Sequence, residues 1–339
     1  MKYNIAKLSE LTGFSPATVS NALNNKKGVN RETAEKIIKV AREVGYLSAP
    51  KISSIKLVIY KVSGLVIADT PFFIALIEGV ERACRETGYD MTVCNISQKD
   101  ADYQERLQEL IMDTSSAILL LATELMESDM ELFTHAVCPV VVLDAWFHQM
   151  QFDTAVTNNE DSTHAAVDYL IKNGHRDIGF LDSSTLTKNF LERRKGYYFA
   201  MREHHLHPRR EMMIGLTPTM DGAYKDMCEF LKGKVTLPTA FVAGNDIIAL
   251  GAMKAMKEFG YRIPDDVSLV GFDDMPFCEI STPTLTTIRF YQQELGRMAV
   301  ERLTKRIKNP ELVPIRIQIS TKLIVRESVK QLDMEKAPL

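Results

Sequence analysis

From about residue 57 onward, short apolar runs alternate with stretches whose apolar residues recur every three or four positions. Met91–Ile96, Ala117–Leu121 and Val140–Leu143 are such runs. Between them Phe73, Leu76, Ile77, Val80 and Cys84 keep helical spacing up to Gly88, and 103–112 reads as a further helix. This pattern constrains the chain more than any other feature. A strand that returns parallel to its neighbour needs a long crossover, usually a helix, and a parallel sheet is covered on both faces, so its strands read as unbroken apolar segments. The alternation starts again after Glu160: helix 160–172 ended by Gly174, strand Ile178–Leu181, helices 191–204 and 221–231, strand Thr239–Ala243, helix 246–259 ended by Gly260, and strand Ser268–Phe272. The expected body is α/β, with two parallel-sheet lobes. Before the first helix two apolar runs compete for the first strand, Ile55–Tyr60 and Leu65–Ala68.

Open parallel sheets bind ligands beyond the carboxyl ends of their strands. The residues there are Asp69 to Phe73, Asp144 to Trp146, Asp182 to Ser184, Asn245-Asp246 and Asp273-Asp274. Carboxylates accept hydroxyl protons and aromatic faces cover the C–H side of a sugar ring, so this set suits a polyhydroxylated ligand. Two structural uses compete. Acidic residues at strand ends also cap the next helix, a role that suits Asp246, and Trp146, the only tryptophan, could pack the lobe interface.

The first forty-six residues follow a different pattern. Ile5, Leu8 and Leu11 read as one helical face ended by Gly13. Ser15 can cap a second helix with Pro16 at its first position and Val19, Ala22 and Leu23 inward. Asn30 can cap a third, with Ala34, Ile37, Ile38, Ala41 and Val44 inward and Gly45 at its end. The result is an all-α helix-turn-helix headpiece. In such a unit the second helix enters the major groove. Pro16, Ala17, Asn21 and, less centrally, Ser20 are placed to reach base edges: Asn bonds bidentately to adenine, and Ala meets the thymine methyl. Thr18 and Ser20, with Lys26, Lys27 and Arg31 beyond the helix, suit phosphates, and Ser15 joins them at the helix start. An idle surface position is the alternative for Asn21, and a DNA-free trihelical bundle for the whole unit.

Charge separates the two parts. Residues 1–56 hold 10 Lys/Arg against 4 Asp/Glu, whereas the rest holds 31 against 40, so a small basic module is joined to a larger acidic body. Five cysteines form no CxxC pair, which predicts free thiols in a reducing compartment. The opening MKYNIAKLSE lacks the apolar core of a signal peptide and no run is long enough to span a bilayer, so the expected location is the cytoplasm, with no membrane contact. There is no Gly-x-Gly-x-x-Gly, Walker A or Gly-x-Ser-x-Gly sequence, and His204, His205 and His207 have no metal-ligand partner at helical spacing. No catalytic residue, cofactor or metal is expected.

Residues 6–24, with Thr18-Val19-Ser20 and Leu23-Asn24 in the second helix, closely resemble the headpiece of the lactose/purine/galactose repressor family, as do Val29, Thr33, Lys36, Ile37, Ala41, Gly45 and Tyr46. The family's usual Arg after Thr-Val-Ser is Asn21 here, a departure that bears on the operator sequence and not on DNA binding. The resemblance continues in order along the body through Thr70-Pro71-Phe72-Phe73, Gly174-His175, Arg193 to Tyr197, Asn245-Asp246, Val270 to Asp274, Pro283 to Ile288 and Val325 to Ser328. It implies a periplasmic-binding-protein-like body in which Arg193, Asn245 and Asp273 line an effector cleft, joined by Asp144 and Phe73; Phe72 and Trp146 are further effector candidates from their places after the strands. Family members follow Gly-Tyr with a hinge helix that pushes a leucine into the minor groove. Here 47–56 lacks that leucine; Ile52 or Ile55 could act as the wedge, although Ile55 also opens a strand-like run.

The expectation is a headpiece over 1–46, a linker over 47–56 and an effector-binding and dimerisation body over 57–339. The chain would be a ligand-responsive repressor of carbohydrate-utilisation genes that binds double-stranded operator DNA as a homodimer and responds to a sugar or sugar derivative. The competing class is a sugar-binding receptor of a transport system, which shares the two-lobe plan but has no basic headpiece.

Overall fold

Three polar side chains set where the headpiece helices begin. Asn4, Ser15 and Asn30 accept the backbone N–H of Lys7, Thr18 and Thr33, starting α1 (Ile5–Thr12), α2 (Pro16–Leu23) and α3 (Arg31–Glu43). Gly13, at φ 76°, ends α1 in the left-handed region. Leu8, Val19, Ile37 and Ala41 close the small core. Leu11 is not part of it and stands 48% exposed. Six residues carry a helix well past one and a half turns, so the inward position four on from Leu8 falls to Thr12, whose hydroxyl donates to the Leu8 carbonyl. The computed structural model describes residues 4–24, 26, 28–44, 46, 52–68 and 72–332, and for Arg31, Arg42, Glu43, Ala68 and Phe72 the backbone alone.

The body is two six-stranded sheets. Its first lobe contains β1 (Ser54–Lys61), α4 (Leu65–Ala68), α5 (Phe72–Thr87), β2 (Asp90–Ser97), α6 (Tyr103–Ile111), β3 (Ser116–Leu121), α7 (Glu127–Met130), β4 (Val140–Leu143) and β5 (Asp153–Thr157). The second contains α8 (Asn159–Lys172), β6 (Ile178–Ser183), α9 (Lys188–Glu203), β7 (Met213–Leu216), α10 (Met220–Lys232), β8 (Ala240–Ala243), α11 (Asp246–Glu258), β9 (Ser268–Asp273), α12 (Phe277–Ile280) and β10 (Thr286–Arg289). The chain then returns through α13 (Gln292–Lys308) and β11 (Arg316–Ile319) to the first lobe, and β12 (Lys322–Ile324) ends in the second. The strand orders are β11-β5-β4-β3-β1-β2 and β12-β10-β9-β8-β6-β7, parallel at every pairing except β10 with β12. Three crossings therefore join the lobes, where the sequence pattern implied two consecutive halves. The competition for the first strand resolves toward Ile55–Tyr60, with Leu65–Ala68 a single helical turn.

Inside each apolar run the pleat assigns alternate residues to opposite faces. Ile55, Leu57 and Ile59 pack under α5 and α13, while Val58 and Tyr60 face α6. In the second lobe Leu181 joins the core with α10 and α11, and Ile178 and Phe180 the core with α8 and α9. Gly196 lets α8 and α9 approach closely, since a Cβ there would lie 2.1 Å from the Glu160 carbonyl. Ile52 packs against the first-lobe core that contains Ile55, so neither isoleucine stands out as a free wedge. Residues 47–51, where a hinge helix would lie, are outside the described residues. On α3, Ile38 turns away from the headpiece core and joins the α6 side of the first lobe.

Candidate effector cleft and nucleic-acid interface

The strand ends of the two lobes meet across a cleft. Val66, Phe73, Thr123 and Asp144 reach it from the first lobe, and Asn189, Arg193, Asn245 and Asp273 from the second. Arg193 sits on α9 one turn after Asn189. Its Nε donates to Asn159 Oδ1 at 2.8 Å, Nη1 to the Gly244 carbonyl at 2.6 Å and Nη2 to Asp273 Oδ1 at 3.4 Å. Its guanidinium lies over the Phe272 ring, 3.7 Å from the centre, and this contact with the three hydrogen bonds holds the fork in one place.

Two cleft carboxylates sit on unusual backbone. Asp144 follows β4 at φ 63° and Asp273 ends β9 at φ 115°, a region that non-glycine residues seldom occupy and that is concentrated at functional sites. The Thr123 hydroxyl donates to Asp144 Oδ2 at 2.7 Å. Burial raises the Asp144 pKa, against the opposing pull of Thr123 and Arg193. Burial also pushes Asp273 up to about 7; Arg193 pulls it down, while Asp246 and Asp144 add to the rise. Burial thus opposes the charged form of both cleft carboxylates, and Arg193 opposes that effect at each.

Asn245 is the cap of α11, its Oδ1 accepting the Ile248 N–H. The cap role suggested for Asp246 therefore belongs to its neighbour. Asp246 is instead fully buried, accepting from the Met275 N–H and the Thr287 hydroxyl. With Oδ1 so committed, the Nδ2 donor is what Asn245 can offer a ligand. The enclosed space is about 30 Å³, room for one or two waters, so a sugar-sized ligand requires side chains or lobes to move apart.

Other strand-end residues have different partners. Asp182 pairs with Arg194 and its own neighbour's N–H, and Asp274 with Arg289 and Arg326. Trp146 does not line the closed cleft; it lies under the Arg316 guanidinium at 3.6 Å. Asp69 to Pro71 and the Phe72 side chain are outside the described residues. The reading of the sequence missed Thr123, Asn159 and Asn189. Only Asn189 had a signal, four residues before Arg193 and hence on its face of α9.

On the headpiece, Ser15, Pro16 and Ala17 form the exposed start of α2, while Thr18, Ser20 and Asn21 are half-buried. The Ser15 hydroxyl is the helix cap and lies 2.8 Å from that of Thr18, so these two residues order the end that would meet DNA. Lys26 is exposed; Lys27 and the Arg31 side chain are outside the described residues.

A profile for bacterial regulatory proteins of the lacI family matches residues 4–48, and a periplasmic binding protein-like profile matches 167–329. The HTH-type transcriptional repressor PurR of Vibrio parahaemolyticus is 32% identical over 340 residues, covering 97% of this chain and 99% of that one. The chain belongs to the lacI family. It is a DNA-binding transcriptional repressor of that family. PurR of Actinobacillus pleuropneumoniae is similarly 30% identical over 336 residues, covering 97% and 99% of the two chains. Among solved structures, a CelR–cellobiose complex matches this lacI-family chain with TM-score 0.75 and 23% identity over 96% of it and all of the other. A lac repressor dimer bound to operator and the anti-inducer ONPF matches at 0.71 and 20%, covering 97% and 100%. At those identities the likeness is one of fold.

Proposed function

We propose that this repressor binds a near-palindromic operator as a cytoplasmic homodimer and is switched by a sugar held between its lobes, thereby controlling carbohydrate-utilisation genes. Residues 1–46 act as the DNA-binding headpiece, 47–56 as the linker and 57–339 as the effector and dimerisation body. The carrying observation is the Arg193–Asp273 pair, a fixed fork of donors beside an acceptor, with Asp144 opposite on the other lobe. A ligand hydroxyl donates to one and accepts from the other, and a ligand bonded to both lobes changes their spacing and thus the geometry of the attached headpieces. Phe73 supplies the apolar wall. On the headpiece, Pro16, Ala17, Ser20 and Asn21 read bases and Ser15, Thr18, Lys26, Lys27 and Arg31 hold phosphates.

The name PurR carried by curated relatives supports a second reading, a purine base as effector. A basic headpiece with a helix-turn-helix pattern disfavours a transport receptor. A thermal-shift panel of sugars, sugar phosphates and nucleobases decides among effectors, since a ligand that binds the native state raises its melting temperature. Titration of operator binding with the hit then tests the switch. A sugar that raises the melting temperature and alters operator affinity supports the reading; a purine that alone does both replaces it.

A further inference from the structure

A second cavity, of about 460 Å³, lies beside the closed cleft, and Asn189 borders both. It is bounded by residues from both lobes, among them Trp146, Thr157, Glu160, Arg316 and Gln318. Its volume falls in the range of small-molecule sites, whereas the inner cleft does not. Most charges in its wall are already matched: Lys195 with Glu192, Lys188 with Glu127 across the lobes, and Asp161 with the Asn158 side chain. Arg316, Gln318 and Glu160 are different, for their side chains make no hydrogen bond or ion pair among the described residues. The Arg316 guanidinium lies over Trp146, 3.6 Å from the ring centre, a contact that uses none of its N–H donors for a hydrogen bond.

One unmatched cation, one unmatched carboxylate and an amide form a neutral set rich in both donors and acceptors. That composition suits hydroxyls better than a phosphate, which Glu160 would repel. We propose that this cavity receives a second sugar ring, making the effector a disaccharide or longer, its first ring against Arg193 and Asp273 and its second hydrogen-bonded to Arg316, Gln318 and Glu160. The inference rests on the sugar reading above. Asn189 and Asn159, bonded to each other at 2.9 Å, form the polar step between the two subsites.

Calorimetric titration of the full chain with glucose, galactose and ribose, and with maltose, cellobiose, lactose and sucrose, tests it. At least one disaccharide is expected to bind about tenfold or more tightly than either of its component sugars, two or three added hydrogen bonds being sufficient. The ratio of the two affinities is expected to shrink to about threefold or less in Arg316→Ala and in Gln318→Ala. Melting temperatures establish that each variant is folded, and Gln318→Ala serves where loss of the Arg316 stack disturbs Trp146. Disaccharides that bind no better than single rings, or an advantage that persists in both variants, overturn the second subsite while leaving the sugar reading intact. Binding of no sugar of either size, with binding of hypoxanthine or guanine, overturns the sugar reading and the subsite together.

Discussion

Arg193 and Asp273 illustrate how one contact serves two purposes. Their ion pair is buried, and Arg193 also satisfies Asn159 and the Gly244 carbonyl, so Arg193→Ala would leave several buried groups unpaired and lower stability as well as ligand affinity. Asp273→Asn separates the effects, because it keeps a carbonyl acceptor for Arg193 and removes the charge. We expect it to weaken effector binding by about tenfold or more, the loss of a charge-assisted hydrogen bond, with ligand-free operator affinity unchanged. Calorimetry beside operator titration measures both. The same variant tests the titration of Asp273. Its native pKa of about 7 exceeds the ordinary aspartate value, so between about pH 4 and 7 the native state binds more protons than the unfolded chain. Stability contributed by this group therefore falls as pH rises through that window, by at most about 1.4 kcal/mol per unit, and levels off above it. Denaturant unfolding at several pH values should give a flatter profile for Asp273→Asn than for the wild type. On the headpiece, Asn21→Ala should relax base choice at one half-site position, costing about 1–3 kcal/mol against the preferred base, whereas Lys26→Ala should weaken all sequences alike. Equal losses on selected and random duplexes would remove Asn21 from base reading.

At the scale of elements, the segment between β1 and α5 is held by one side chain. Glu124, 4% exposed, accepts the backbone N–H groups of Val62, Ser63 and Gly64 on Oε2 and that of Val66 on Oε1, at 2.8–3.0 Å. This carboxylate does for a bend and a helical turn what a ladder does for a strand, and it directs Val66 into the core of the opposite lobe and the wall of the cleft. Glu124→Ala leaves those four donors without their acceptor, and we expect a loss of about 1–3 kcal/mol or more, with faster hydrogen exchange confined to 62–66. Slowed or unchanged exchange there would show that the segment is held by other contacts. The two apolar runs around this bend looked equally strand-like because a four-residue apolar run has no period by which helix and strand differ. Their pairing decided it: Ser54–Lys61 has Asp90–Ser97 on one side and Ser116–Leu121 on the other.

For the whole molecule the consequential feature is the division of charge. With 10 cations against 4 anions in residues 1–56 and 31 against 40 beyond them, DNA attraction is confined to one end and the body is repelled from the duplex. Operator affinity should fall steeply and linearly on a log–log plot against salt, as phosphate contacts release counterions. A flat response measured by anisotropy across 50–300 mM salt, roughly the range in which that release is seen, would contradict headpiece-driven binding. Among the described residues no helix is long and apolar enough to cross a membrane.

Local chemistry made much of this legible in advance. Apolar runs in alternation with amphipathic helices dictated parallel sheets, and Asn4, Ser15 and Asn30 marked helix starts, because propensity, capping and period act over a few residues. Short strands without a clear apolar period were not legible: β5, β7, β11 and β12 are defined by the partners they meet, and β11 pairs with β5 although about 160 residues separate them. The cleft divides in the same way. Arg193, Asn245 and Asp273 could be named from strand ends and from the resemblance, but that Asn245 caps α11, that Trp146 lies under Arg316, and that Thr123 and Asn159 join the network could not. The Asn245 cap is a local contact for which Asp246 competed in the sequence, whereas the contact of Trp146 with Arg316 needs the chain to return to the first lobe through α13. Only the folded structure brings such distant segments within hydrogen-bonding distance, and burial there, not residue type, raises Asp273 toward neutrality.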